Sequence, residues 1–374
     1  MSTDIELIIE ACKNEQNPKR VKELMRLVKE WDAFIDLAYE HGVFPLVYKA
    51  LKQHEELISQ NVLHSMKMAN MDIVKENMLM SAELIKVMKL LEQNGIKAIA
   101  FKGPTLAQLA YGDIALRQYS DLDILIKYSE LQTAMEVLQN NDYLLDKDEK
   151  FKISKQNSIY HDVTFYSSSN ISIELHWQLF SNEFKTDFTI LPINKNIQTI
   201  QISNHTLVSL RPAYLIIYLC IHGAKHNWER LEWLVDISKL IQTQQLDWKY
   251  IVDLVEKSKT QKIVFSTLHL VHTYFNTPLE KNIQKYIEEK NIIKLSQQFQ
   301  SVIESNFYSL GDNVKNLSHA QYKLLNGAKN KSFFIFSLFT PTERDVQTIR
   351  LPKKLHSLYY LVRIYNLSRR AFKI

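Results

Sequence analysis

Arg117-Gln118-Tyr119-Ser120-Asp121-Leu122-Asp123-Ile124-Leu125-Ile126 is the stretch on which the reading of this chain turns. From Leu122 onward every position is apolar except Asp123, the pattern of a strand buried on both faces. An ionised carboxylate inside such a strand is costly unless something pairs with it. Residues i and i+2 of a strand point the same way, so Asp121 and Asp123 present two carboxylates to one point in space. Two hard oxygen donors so placed suit Mg2+ or Mn2+ carried in with a triphosphate. Asp-x-Asp also occurs by chance, and an Asp at a strand entrance can simply cap a turn. The weight therefore falls on its surroundings.

Downstream, Ile171-Ser172-Ile173-Glu174-Leu175-His176-Trp177 alternates cleanly. Ile171, Ile173, Leu175 and Trp177 share one face, and Ser172, Glu174 and His176 share the other. If this strand lies beside the Asp121–Asp123 strand, Glu174 completes a three-carboxylate cluster. Such a cluster can hold two divalent ions about 4 Å apart and clamp the attacking and leaving oxygens of a phosphoryl transfer. Otherwise Glu174 is a solvent-facing residue of a half-exposed strand. Upstream, Phe101-Lys102-Gly103-Pro104-Thr105 reads as strand, tight glycine turn and helix start. A helix N-terminus offers N–H groups to an anion, Gly103 permits close backbone approach, and Lys102 adds charge. The bland reading of the same residues is a plain strand-to-helix turn.

Outward from this centre the chain divides into three regions. Residues 1–95 read as helices, with Val21, Leu24, Leu27 and Val28 at helical spacing, a break at His41-Gly42 and a long Met-rich helix from about Leu57 to Glu92. Met in such a helix usually packs an adaptable core. Residues 96–205 carry strands at Ile96–Phe101, Asp123–Ile126, Val163–Tyr166 and Ile171–Trp177, with helices over Thr105–Tyr111 and Glu130–Asn140. Ser167–Asn170 reads as a hairpin loop. Residues 206–374 return to a helical pattern from about Thr206. The expected fold is α+β, predominantly helical: a small mixed sheet flanked by N- and C-terminal helical regions. A total of 374 residues with 46% hydrophobic content suits two or three packed units, and only 7 glycines argue against a turn-rich β fold.

Cys12 and Cys220 are not spaced as a metal pair and read as free thiols of a reducing compartment. The opening MSTDIELIIE lacks a basic stretch followed by an apolar core, and the longest apolar run, near Ala213–Ile221, is too short to span a bilayer. A cytoplasmic location is expected. The net charge of +5 is modest, yet after Asp345 there is no acid while Arg350, Lys353, Lys354, Arg363, Arg369, Arg370 and Lys373 follow. That basic tail is either a solvated helix or a dock for an acidic partner, a membrane surface or a phosphate-rich substrate. Phe333–Phe339 reads as core or as an interaction patch. His222 and His226, at i and i+4, share a helix face. Zinc there would need more ligands than the neighbourhood supplies, leaving a substrate-pocket or a structural role.

Taken in order, these residues resemble the DNA polymerase β-type nucleotidyltransferase superfamily and, more narrowly, its uncharacterised bacterial nucleotidyltransferase family. The matching pieces are Phe101-Lys102-Gly103, Tyr111-Gly112-Asp113, Arg117, Asp121-Leu122-Asp123 and Glu174-Leu175-His176-Trp177. Further along stand His222, His226, Trp228, Trp233 and Asp236, and the Trp31–Leu51 stretch resembles the family's helical leader. The resemblance implies transfer of a nucleoside monophosphate from a nucleoside triphosphate to a hydroxyl acceptor, with Asp121, Asp123 and Glu174 as metal ligands and catalytic carboxylates. Lys102, Gly103, Thr105 and Arg117 are then expected to serve the nucleotide, and His176, His222 and His226 the substrate pocket. The acceptor class implied is a sugar, lipid, peptide or protein hydroxyl. One departure stands out: the superfamily's Gly-Ser turn is here Lys102-Gly103, which lacks the serine hydroxyl that contacts the triphosphate. Two rival readings follow. One is a catalytically inactive nucleotide-binding or protein-interaction module, and the other is a nucleic-acid-end modifier drawing on the basic tail.

Overall fold

The computed structural model describes all residues except 147–160, 181–185, 305–319, 342–344, 346–347, 350 and 372–374. Short N-terminal helices run over Thr3–Cys12 (α1), Pro18–Met25 (α2), Trp31–Glu40 (α3) and Phe44–Leu51 (α4). Asn17 caps α2 by accepting from Lys19 and Arg20 N–H, and Pro18 takes the first turn, where its missing N–H is not needed. Helix α5 (Gln60–Gln93) buries Met66, Ile73, Met80, Leu84, Val87, Met88 and Leu91, an apolar stripe broken by Asn77 and Ser81. Its methionines divide: Met66, Met80 and Met88 are buried, while Met68, Met71 and Met78 face solvent.

The sheet follows. Its strands are β1 (Ile99–Ala100), β2 (Asp121–Leu125), β3 (Leu144–Leu145), β4 (Asp162–Tyr166) and β5 (Ser172–His176), in spatial order β1-β2-β5-β4-β3. Helix α6 (Gly103–Tyr111) joins β1 to the loop before β2, and α7 (Leu131–Gln139) follows β2. Strand β2 runs antiparallel to β1 and parallel to β5, while β4 and β5 form the hairpin around Ser167–Asn170. The sheet is therefore small and mixed. Leu122, Ile124, Ile173 and Leu175 are fully buried on one face.

The short β3 has no counterpart in the sequence reading, and a larger departure follows it. The region from Thr206 is not yet helical: Ile197–Ile202 (β6) and His205–Leu210 (β7) pair as an antiparallel hairpin, and helix resumes only at Pro212. The alternation Ile197-Gln198-Thr199-Ile200-Gln201-Ile202 and the Ser203-Asn204 turn, with Ser203 at φ 52°, were the available signals. Beyond it come α8 (Pro212–Lys225), α9 (Leu231–Thr243), α10 (Trp248–Lys257), α11 (Gln261–Phe275), α12 (Lys281–Ile287), α13 (Lys290–Glu304), α14 (Ala328–Leu338) and α15 (Tyr359–Ala371). Buried apolar side chains from Ile5 to Phe334 form one connected core. Cys12 and Cys220 are buried in it as free thiols.

In the Phe333–Phe339 stretch only Phe334 is buried; Phe333, Ile335, Phe336 and Phe339 are exposed. On α15, Tyr359 is buried and Tyr360, Leu361, Ile364 and Tyr365 are exposed. Of the basic tail, Arg363 pairs with buried Asp345 at 3.6 Å and donates to the Leu338 carbonyl. Arg350 and Lys373 lie outside the described residues, as do the side chains of Lys353, Lys354 and Arg370. No helix among the described residues is long and apolar enough to cross a membrane.

Candidate active site

Parallel pairing of β2 with β5 sets Asp123 opposite Glu174 and Asp121 opposite Ser172. Both strands alternate, so Asp121, Asp123, Glu174 and His176 emerge on the same face of the sheet. Asp123 is buried at 1% exposure, the cost anticipated for a carboxylate in an apolar strand, and two cations meet it. Lys102 Nζ lies 2.9 Å from its Oδ1, and His176 Nε2 lies 3.2 Å from the same oxygen. Its Oδ2 is buried without a hydrogen-bond partner. His176 Nε2 is also 3.2 Å from Oε2 of Glu174, which is half-buried.

The charges resolve accordingly. Burial works to raise the Asp123 pKa, but the Lys102 ammonium and His176 outweigh it and hold the carboxylate well below its ordinary range. Burial opposes the charged form of His176, and the Asp123 and Glu174 carboxylates overcome it, raising the imidazole to about 9. Lys102 is likewise raised despite burial, first by Asp123. Lys102 and Arg117 offset the environment of Asp121 only in part. Burial, then Asp123, pushes its pKa up to about 6. The two strand carboxylates are thus driven apart, one firmly ionised and one poised near neutrality.

The turn beneath Lys102 is built around Gly103, whose φ is +49°; a Cβ there would sit 3.1 Å from the Asp121 carbonyl oxygen. Only glycine lets α6 begin this close to β2. The turn offers an anion less than the sequence suggests. Pro104 has no N–H, the Thr105 N–H is turned back to the Lys102 carbonyl at 3.2 Å, and the Thr105 hydroxyl donates to that same carbonyl at 2.8 Å. Thr105 is fully buried. The anion-attracting feature of this turn is the Lys102 ammonium.

Arg117 also has a partner that strand spacing does not reveal. Its Nε lies 3.0 and 3.1 Å from the two oxygens of Asp236 on α9, and Tyr111 donates to the same carboxylate at 2.7 Å. Tyr111, Arg117 and Asp236, far apart in sequence, are one buried knot tying α6, the pre-β2 loop and α9 together. From α5, Asn77 donates to the carbonyls of Ile114 and Arg117, and Gln118 accepts from the Phe44 N–H. The N-terminal helices therefore hold the loop that delivers Asp121.

Beside Asp121 opens a cavity of 520 Å³, lined by Lys102, Arg117 and Asp121 on one side and by His222, His226, Arg230, Glu232 and Trp233 on the other. Its wall from α3 and α5 includes Tyr39, Glu76 and Asn77. The rings of His222 and His226 lie 4.9 Å apart, and each contacts Trp233, at 5.5 and 5.2 Å. Burial, then the lysines nearby, depresses both imidazoles, His226 to about 4, so both are neutral at pH 7. Trp228, by contrast, is fully buried packing against Phe299. His176 stays within the sheet, its ring 5.3 Å from that of Phe101.

Two functional candidates escaped the sequence reading. Glu232 lines the cavity, and burial, partly offset by Arg117 and Arg230, raises its pKa to about 7. His161 stands at the entrance to β4 with its Nδ1 3.0 Å from Asp162, and its ring is 5.5 Å from that of His176. Neither lies in a recognisable spacing, because each meets the site only through strand or helix packing.

Divalent ions fit this centre. One donor atom each from Asp123, Glu174 and His176 lie within 4.8 Å of one another, and the partnerless Oδ2 of Asp123 is a buried anionic oxygen still lacking a cation.

Among curated proteins no match is found. A solved structure it resembles is an antigenic nucleotidyltransferase-like protein from Paracoccidioides brasiliensis, at 13% identity over 54% of this chain and 93% of that one. The TM-score of 0.32 is too low for that likeness to carry weight. The profile of a family described as uncharacterised nucleotidyltransferase matches residues 28–276, taking in Lys102, Asp121, Asp123, Glu174 and Asp236. With well over half of its length inside that match, the chain belongs to the uncharacterised nucleotidyltransferase family.

Proposed function

We propose that the protein transfers a nucleoside monophosphate from a nucleoside triphosphate to a hydroxyl-bearing acceptor at the Asp121–Asp123–Glu174 centre. The observation that carries this reading is the register of β2 on β5. It sets Glu174 beside Asp123 on the face that bears Asp121, next to a cavity walled by cationic and aromatic side chains. Asp121, Asp123 and Glu174 would hold Mg2+ or Mn2+, which when bound neutralises phosphate charge and lowers the pKa of the acceptor hydroxyl.

The chain's own residues do the rest by position and charge. Lys102, on the cavity wall beside Asp121, binds a phosphate oxygen in place of the absent serine hydroxyl. Gly103 keeps the backbone low enough for the phosphates to pass. Arg117, immobilised by Asp236, lends positive charge from a fixed point. The acceptor lies against His222, His226 and Trp233. Its hydroxyl oxygen bonds to the α-phosphorus as the bond to the β-phosphate breaks and pyrophosphate leaves. The hydroxyl proton passes to water.

The test is calorimetry with each of the four ribonucleoside triphosphates in Mg2+ or Mn2+, comparing wild type with Asp121→Ala/Asp123→Ala. An Asp121→Asn/Asp123→Asn pair is run alongside, because losing the Asp123 side chain strips the buried Lys102 of its partner at 2.9 Å. Metal-dependent binding to one triphosphate, abolished in both double variants, is expected. Binding to none would sink the transferase reading in favour of an interaction module. Binding to DNA or RNA that falls steeply with salt would favour the nucleic-acid-end reading.

A further inference from the structure

The three donors that converge at this centre are not all oxygens. We propose that His176 is a metal ligand here, so that the centre selects a first-row transition dication of the Mn2+ class over Mg2+. The inference rests on the nucleotidyltransferase reading and refines it: the carboxylates Asp123 and Glu174 are joined by a ring nitrogen, and the proton that His176 carries beside them leaves as the ion binds.

The geometry carries it. His176 Nε2 lies 3.2 Å from Asp123 Oδ1 and 3.2 Å from Glu174 Oε2, and neither contact has good hydrogen-bond geometry. One donor atom each from Asp123, Glu174 and His176 lie within 4.8 Å of one another, close enough to be shared by one ion. Ligands at metal distances of about 2.1 Å are separated from each other by about 3.0 Å in an octahedron and about 3.4 Å in a tetrahedron. The observed 3.2 Å lies between those edges. Both ring nitrogens of His176 are buried without a hydrogen-bond partner, and so is Oδ2 of Asp123. Buried polar atoms are normally satisfied, so three such atoms on two neighbouring residues mark a place where a partner belongs.

His176 is also shared. With His161 and Asp162 it forms a second group of donor atoms within 4.8 Å of one another. Strand pairing sets Asp162 opposite His176, and His161 accepts the Trp177 N–H through its backbone carbonyl. Two imidazoles and three carboxylates thus crowd one end of β2, β5 and β4. Mg2+ prefers an all-oxygen octahedron and is reluctant to dehydrate, whereas imidazole nitrogen stabilises Mn2+, Co2+ and Zn2+. The donor set therefore discriminates in favour of the latter.

The experiment uses the full chain without nucleotide, so it does not depend on turnover. Mn2+ is titrated and followed by the loss of its free aqueous electron paramagnetic resonance signal, and the bound ion is then examined by pulsed methods. Nitrogen coupling to bound Mn2+ is expected in wild type. Its pattern should change when the protein is labelled with 15N-histidine, a control that needs no substitution. His176→Gln should lose the coupling and weaken Mn2+ binding at least tenfold, and Mg2+ should need at least a tenfold excess to displace Mn2+ from wild type. Bound Mn2+ without nitrogen coupling, displacement by Mg2+ at parity, or no Mn2+ bound at all would each overturn the proposal, the last leaving an imidazolium as the counterion of Asp123. Metal-dependent nucleotide binding that persists beside a spectrum without nitrogen coupling would leave the transferase reading standing while this refinement fell.

Discussion

Replacing Asp236 by Ala should be among the most destabilising single changes in the protein. Asp236 is fully buried and answers Arg117 Nε through both oxygens, at 3.0 and 3.1 Å, and the Tyr111 hydroxyl at 2.7 Å. Arg117 is buried as well, and a guanidinium is too basic to shed its proton near neutral pH, so it stays charged when stranded. Removing one member of a buried ion pair costs about 3–5 kcal/mol, because the other is left uncompensated. The orphaned Tyr111 hydroxyl adds about 1 kcal/mol or more. The expected loss for Asp236→Ala is therefore about 4–6 kcal/mol. Asp236→Asn, which keeps an acceptor oxygen but not the charge, should lose about 2 kcal/mol. The double variant Arg117→Met/Asp236→Leu removes the stranded charge and should recover most of the loss, with a coupling energy of about 3 kcal/mol. Urea denaturation followed by circular dichroism measures all four proteins. A loss under about 1 kcal/mol for Asp236→Ala, or simple additivity in the double variant, would refute this view of the knot.

Further outcomes follow from the same geometry. Gly103→Ala forces a side chain into φ +49° and against the Asp121 carbonyl at 3.1 Å. It should cost about 1–2 kcal/mol and shift β2, seen as a lower melting temperature together with weakened triphosphate binding; unchanged values in both would contradict the close approach. His41 is buried, its Nδ1 accepts the Leu231 N–H at 3.3 Å, and burial followed by Arg230 depresses its pKa to about 4. In the unfolded chain it titrates near 6.5, so stability is lost as pH falls from about 6.5 towards 4, the window in which only the unfolded state takes up the proton. The loss should reach up to about 3 kcal/mol, and urea midpoints measured from pH 7 to 4 should fall less steeply in His41→Asn; equal slopes would exclude His41 as a contributor.

The two carboxylates of β2 were legible because a strand has a period of two and because a buried acid is costly unless something pairs with it. The alternation of Ile171–Trp177 placed Glu174 and His176 on one face for the same reason. The small mixed sheet within a helical body was equally readable, from runs whose period changed at Ile96. The β6–β7 hairpin was missed although its alternation was present, because the apolar run after it drew the boundary towards helix.

What local pattern determined, then, was which residues share a face. What it could not determine was which faces meet, since that depends on contacts between segments far apart in the chain. Arg117 looked free for a phosphate until packing of α9 brought Asp236 to within 3.0 Å of it. Thr105 looked available until the turn bent its hydroxyl back to the Lys102 carbonyl. Lys102 acquired Asp123 as its partner through the pairing of β1 with β2, and His161 reached His176 through the pairing of β4 with β5. Periodicity along the chain sets the direction of a side chain, but its partner, its charge state and its access to a ligand are decided by burial and long-range pairing.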